Sequence, residues 1–394
     1  MNMYNEALAI KDTLVAHRRY LHQNPETGLD LPVTSAYVEE QLKKMGYEPQ
    51  RMGSSGLVVT IGKGNGKCFL IRGDMDALPV QEAADIDFKS TNGNMHACGH
   101  DFHTTMMLGA AQLLKAHEDE IEGTIKLMFQ PAEETMDGGK MMVEAGVLEN
   151  PHVDAAMGIH VGTALEQPVG SIIMRGVGAR MAAVDWFEIH VTGKGCHGAS
   201  PHTGVDPINV AARILVALQS INAREMDPTD NIVLTIGQIH GGKTSNVIPN
   251  DCMMSGTIRT LKNETRAMVK ERMEAIVSGI AAAFQAEAHV EWGSGCPVLS
   301  YNKTLYGEID EILNSLEGVA HQDLGLSIGS MGSEDFAYVT NEVPGVFLSL
   351  CAGKPSEGYV HPLHHPKAMF NEDALPSGAA AYAHVAMQWL KNHK

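Results

Sequence analysis

Midway along this chain the spacing of its apolar residues changes rhythm, and that change limits the folds open to it. Up to about residue 180, helical patterns alternate with short apolar runs. Residues 34–45 read as a helix stopped by Gly46 and 103–115 as another, with 57–61, 68–72, 124–129 and 154–160 as strands. The first two strands flank Gly62, Gly64 and Gly66, which reads as a hairpin. Such alternation predicts an α/β domain, a mixed sheet covered by helices. From residue 184 the order becomes strand (184–191), helix (207–222), strand (231–239), strand (252–259), long helix (264–285) and strand (288–292). This βαββαβ order is the ferredoxin-like arrangement, four strands with two helices on one face. After about Ser294 the first rhythm resumes and ends in a helix near 375–390. The expected organisation is a larger domain built from 1–180 and 294–394, interrupted by an inserted domain at 181–293.

A chain of 394 residues is too long for one ordinary core, which agrees with two domains. Its 44% hydrophobic and 19% charged content describes a globular protein. A formal net charge of -18 repels phosphate backbones, so nucleic acid is not an expected partner. The first residues place Leu8, Leu14, Val15 and Leu21 near helical spacing, an amphipathic helix and not a secretion signal. No apolar run is long enough to span a bilayer, so no membrane partner is expected. Cysteines 68, 98, 196, 252, 296 and 351 lack the spacing of a disulfide scaffold, and reduced thiols in the cytoplasm are the expectation.

Chemistry-bearing residues gather where strands run out. Cys98 and His100 are separated by Gly99, whose backbone freedom lets both side chains face one point. Thiolate and imidazole together favour zinc or another late divalent ion over magnesium or calcium. Glu133 and Glu134 follow the strand 124–129 and Pro131. On extended backbone, adjacent side chains point opposite ways, so one carboxylate can ligate while the other moves a proton. His160 ends another strand, and His364 and His365 lie in a proline-flanked loop. Taken singly, each is as ordinary as a buried thiol, a solvated acidic turn or a loop histidine. Their shared address beyond strand ends is where open α/β sheets place ligands. The inventory suits a two-metal hydrolytic site.

In order, RGDMDALPVQE (72–82), MHACGHDFHT (95–104), FQPAEE (129–134), GIH (158–160), GKGCHGASPH (193–202), SNVIP (245–249), GSEDF (332–336) and PLHHP (362–366) span nearly the whole chain. Together they resemble the bacterial and plant amidohydrolases that include hippurate hydrolase, N-acyl-L-amino acid amidohydrolase and indole-acetyl-amino acid hydrolase. These fall within the aminoacylase/carboxypeptidase superfamily of co-catalytic metallopeptidases. The resemblance implies two divalent ions per subunit (zinc, manganese, cobalt or nickel), held by Cys98, His100, Glu134, His160 and His364. His364 ranks above His365 because it aligns with the family's Leu-His-x-Pro. Glu133 resembles the general base, and Asp74 and Asp76 resemble groups that orient a ligand imidazole.

For the inserted domain the resemblance implies a lid and a dimerisation surface. His197 resembles a histidine that reaches across a dimer to the anionic transition state. Asn246 and Arg259 resemble residues that hold the substrate's carbonyl or free carboxylate. The implied substrate is a small N-acyl-amino acid cleaved at its amide bond, the implied assembly a homodimer; the alternative is a dipeptidase or carboxypeptidase using the same metals. One motif points elsewhere: Gly237 to Thr244 satisfies the phosphate-binding loop pattern. Such a loop must open into a helix, and Ser245–Pro249 is extended and proline-broken, so nucleotide hydrolysis is rejected.

Overall fold

The computed structural model describes residues 2–163, 166–327 and 329–394. Its chain divides into two compact units, Met1–Gly178 with Ser300–Ser327 and Asp335–Lys394, and Ala179–Leu299 with Ile328–Glu334.

The first unit is built on an eight-stranded sheet. Its strands are β1 (Gln50–Met52), β2 (Gly56–Gly62), β3 (Cys68–Asp74), β4 (Thr124–Gln130), β5 (Ala155–Gly162), β6 (Ile172–Met174), β7 (His321–Asp323) and β8 (Gly345–Cys351). The spatial order is β1-β2-β4-β3-β5-β8-β6-β7. β3 runs parallel to β4 and β5, and β5 parallel to β8, while β2 and β6 run antiparallel to their neighbours β4 and β8. The sheet is therefore mixed.

The expected hairpin between β2 and β3 does not form, because β4 lies between them. Glycines 62, 64 and 66 do turn the chain, at positive φ. But Lys63 N–H donates to the Gly123 carbonyl and Thr124 N–H to that of Lys67, which seats the start of β4 in the gap. The physical reason lies in β3, whose seven residues are all buried. A strand buried on both faces belongs at the centre of a parallel sheet, and a turn signal carries no information on what enters beside it.

Helices His100–Ala116 and Leu375–Asn392 pack on each other and on β3. A Cβ at Gly109 would stand 2.8 Å from Ala379 Cβ, so the close approach of these helices requires glycine there. The amino-terminal segment is not one helix: it breaks at Ile10 into Met3–Ala9 and Lys11–Gln23. Leu14 and Leu21 are buried as their spacing requires, while Leu8 falls on the other side of the break and is exposed.

The second unit has a four-stranded antiparallel sheet in the order Ile232–Gly241, Asp251–Thr260, Ala183–Thr192, Glu287–Cys296. Alternate residues Phe187, Ile189 and Val191 face a core shared with Val210, Ile214 and Leu218 of helix Pro207–Ser220 and Val269, Met273 and Val277 of helix Asn263–Ala283. Period-2 strands and period-3.6 helices thus bury a single apolar layer. Gly242 turns at positive φ, and a short strand, Val247–Ile248, comes next. No helix opens after the phosphate-loop pattern. Among the described residues, no helix is long and apolar enough to cross a membrane.

Candidate metal centre

Three parallel strands deliver the site. β3 ends at Asp74 and continues into Asp76, β4 ends before Glu133 and Glu134, and β5 carries His160 near its end. Helix His100–Ala116 begins beside them. Its N-cap Gly99 has φ 85°, and a Cβ there would lie 2.4 Å from Val161. Only glycine fits this corner, which turns Cys98 and His100 toward one region.

The donors converge within the first unit. Ligand atoms of Cys98, His100 and His160 lie within 4.8 Å of one another, as do those of Cys98, Glu134 and His364, and those of His100, Glu133 and Glu134. Cys98 Sγ is 3.4 Å from His160 Nε2. His100 Nε2 stands 3.8 Å from both Glu133 Oε2 and Glu134 Oε1, and His364 Nε2 is 3.5 Å from Glu134 Oε1. His364 adopts φ 67° and remains exposed, with its Nε2 at the edge of the cluster. His365 instead stacks on His361 and accepts the Lys367 N–H, so it stands apart from the cluster.

The two glutamates do not sit on extended backbone as expected. Ala132 has φ 55° and the chain curls into a turn, so both carboxylates approach the same imidazole. Asp76 causes the curl: one oxygen accepts the Glu133 N–H (3.0 Å), the other the Glu134 N–H (3.1 Å). The first oxygen also meets His100 Nδ1 at 3.3 Å. One buried carboxylate therefore sets both an imidazole and the acidic turn.

Asp74 does something different. It pairs with Arg72 (2.7 Å) and His103 Nδ1 (2.5 Å), and is 3.7 Å from His100 Nε2. His103 Nε2 accepts the Val161 N–H, so its Nδ1 must carry the proton given to Asp74. Both of its ring nitrogens are occupied, which removes it as a ligand. Sequence reasoning did not single out His103 or Arg72; the signal was the i, i+3 spacing of His100 and His103 on one helix face. Arg72 is buried between Asp74, Gln130 and Asp335 and braces the ends of β3 and β4.

Electrostatics identify what the cluster needs. Burial, then the charge of Glu134, pushes the Cys98 thiol well up, and burial also raises the Glu134 carboxyl. Burial, then the His103 charge, lowers His160 to about 3. For His100, burial opposes the charged ring, but Asp74, Asp76 and Cys98 outweigh it and raise its pKa. Most telling, His100 Nε2 and Glu134 Oε1 are buried without any hydrogen-bond partner. Orphaned buried polar atoms are rare in native folds. Two acids short of positive charge and two donor atoms short of a partner fit a divalent cation. The residues present therefore fit the metal ions.

The second unit carries His197, Asn246 and Arg259. Cys196–His197 pairs with Val247–Ile248, and Gly198 N–H donates to the Asn246 carbonyl, so His197 and Asn246 are neighbours. Both are exposed. His197 Nδ1 accepts the Ala199 N–H, and Asn246 Oδ1 accepts from the Thr244 hydroxyl. Arg259 lies toward the far end of strand Asp251–Thr260, opposite Val184, and donates to the Met331 carbonyl and Ser333 Oγ.

A mixed α/β sheet that gathers thiol, imidazole and carboxylate donors beyond its strand ends, two of them orphaned and buried, fits a metal-dependent hydrolase. Residues 70–388 match peptidase family M20/M25/M40. Thermostable carboxypeptidase 2 of Saccharolobus solfataricus is 39% identical, covering 98% of this chain and 97% of its own. N-acetyl-L-cysteine deacetylase of Bacillus subtilis is 37% identical over 93% of this chain and 85% of its own. Among solved structures, a Bacillus subtilis protein described as a dinuclear metal binding peptidase of the M20 family superposes with TM-score 0.79 at 33% identity, covering 97% of this chain and 99% of that one. The chain belongs to peptidase family M20/M25/M40. It is a hydrolase of amide bonds that works with divalent metal ions.

Proposed function

We propose that the protein cleaves the amide bond of N-acyl-amino acids, using two divalent ions held by Cys98, His100, Glu134, His160 and His364. The observation that carries this reading is the pair of orphaned buried atoms, His100 Nε2 and Glu134 Oε1, inside a cluster that already holds a thiol and a second imidazole. Bound ions of this kind make water acidic and polarise a carbonyl. Glu133 takes the proton of the attacking water and returns it to the leaving amine. Asp76 holds His100 and the Glu133-Glu134 turn in place for that transfer. His197 stabilises the developing oxyanion, reaching it across a homodimer, while Asn246 and Arg259 hold the substrate's carbonyl or its free carboxylate.

In this reading residues 181–293 form an inserted ferredoxin-like lid and dimerisation domain, and 1–180 with 294–394 the catalytic domain. Zinc, manganese, cobalt and nickel all suit the donor set, and the reduced thiols suit the cytoplasm. The deacetylase relative, whose printed name specifies an N-acetyl amino acid, supports the acyl-amino acid substrate. The carboxypeptidase relative supports a second reading, peptide cleavage by the same ions. A kinetic panel of N-acetyl, N-benzoyl and aminoacyl substrates on the metal-loaded enzyme separates them. We expect the acyl-amino acids to be turned over best; a clear preference for dipeptides would overturn the first reading in favour of the second.

A further inference from the structure

Helix Lys11–Gln23 carries Arg18 and His22 into a buried cluster of charges. His22 Nδ1 lies 2.8 Å from Asp101 Oδ2, and its Nε2 lies 3.0 Å from Glu82 Oε1. The same Asp101 oxygen accepts the Arg18 Nε–H at 2.9 Å, and the other accepts the Phe102 N–H. Glu82 Oε2 accepts the Ser90 N–H at 2.7 Å. An ionised carboxylate only accepts, so a ring that faces one at each nitrogen must donate from both. His22 is therefore an imidazolium, and with Arg18 it balances Asp101 and Glu82.

Arg18 Nη2 also stands 3.4 Å from His22 Nδ1, while its other arm reaches Glu372. The His96 ring lies 6.4 Å from that of His22, centroid to centroid. Burial, then the Arg18 charge, opposes the proton on His22, but the bonds to Asp101 and Glu82 outweigh both and raise its pKa. The folded protein holds this proton more tightly than the unfolded chain does. The bridge is thus complete below about pH 6.5 and is lost as pH rises through the raised pKa.

The two carboxylates belong to the backbone that presents the metal donors. Asp101 directly follows His100 at the start of helix His100–Ala116. Glu82 lies in the segment between Leu78 and Met95, which pair with each other shortly before Cys98. That segment also seats the His364 loop: the Ala83 N–H donates to the Pro366 carbonyl at 2.8 Å, and the His364 N–H to the Ala97 carbonyl at 2.9 Å. We infer that His22 is a positioning residue of the metal centre, whose imidazolium ties the helix start that presents His100 to the segment that seats His364. This rests on the function proposed above, which takes both histidines as ligands. Without the second proton on the ring, a buried carboxylate faces a lone pair, and the segment must shift to relieve it.

The test is zinc affinity, measured against a competing chelator from about pH 6 upward in wild type, His22→Gln and Glu82→Gln. Losing a group that orients a metal ligand costs about 10- to 100-fold in affinity. His22→Gln should bind zinc more weakly than wild type by about that factor below about pH 6.5. In Glu82→Gln the amide oxygen accepts the Ser90 N–H and the amide NH2 donates to an unprotonated ring, so the bridge no longer needs the charge. Relative to that variant, wild type should lose affinity by a similar factor as pH rises through the His22 titration; the Cys98 thiol is present in both and cancels in the ratio. A His22→Gln affinity equal to wild type, or a wild-type to Glu82→Gln ratio that stays flat with pH, overturns the inference while leaving the hydrolase reading intact. A wild type that binds no zinc overturns the metal-centre reading and this inference with it.

Discussion

The donor cluster of the first unit and the His197–Asn246 corner of the second are built on opposite terms. In the cluster, Cys98, His100 and Glu133 are buried, and two ligand atoms have no partner. At the corner, His197 and Asn246 are exposed and their polar atoms bond to a neighbouring amide or hydroxyl. A buried orphan is a deficit that something must fill, whereas an exposed and satisfied side chain needs nothing until a ligand arrives. The contrast predicts that the cluster governs metal content and stability, and that the corner governs neither.

The largest effect should fall on Glu133. Glu133→Ala should keep its metal, measured by elemental analysis, and lose about 100- to 10,000-fold in turnover. Full activity in that variant would falsify its role as base. Next comes the metal itself. Adding the ion at about 100 to 1,000 times its dissociation constant should stabilise the fold by about 3–4 kcal/mol, read as a rise in the unfolding midpoint. Cys98→Ala should lose most of that rise; an undiminished shift would mean the thiol is not a donor.

A third test sets an orphan-free buried histidine against the cluster. His17 is buried and its Nδ1 lies 2.7 Å from the Tyr37 hydroxyl. Burial, then the Lys44 charge, lowers it from 6.5 to about 4. The unfolded chain binds this proton more readily than the fold does. Its contribution is therefore complete above about pH 6.5 and is lost as pH falls toward 4, by up to about 3 kcal/mol. Chemical denaturation across that window should show a shallower decline in His17→Gln than in wild type, at any metal concentration. Equal slopes would remove His17 from the account. The smallest effect belongs to the corner: His197→Ala should change stability by less than about 0.5 kcal/mol and leave metal content unaltered. A drop in metal content there would erase the distinction between the two regions.

Much of the secondary structure was legible from spacing. The run 124–129 became Thr124–Gln130 and 252–259 became Asp251–Thr260, because strand periodicity and apolar burial are local. The Glu133-Glu134 turn was not legible, since the group that curls it, Asp76, is remote in sequence and acts through backbone amides. The same holds for His22, whose two carboxylate partners lie 60 and 79 residues away in sequence. Which residues are present could be read directly; which atoms they face could not.

Sequence alone determined the residue types available to a site, the family whose motifs they follow, and the positions of strands and helices whose period is written in neighbouring residues. Tertiary structure decided that β4 enters between β2 and β3. It also decided that both ring nitrogens of His103 are occupied while His100 Nε2 has no partner, and that His364 and not His365 approaches Glu134. The reason is one of range: propensity and pattern act within a few residues, whereas strand pairing and the satisfaction of a buried polar atom depend on groups that only the closed chain brings together.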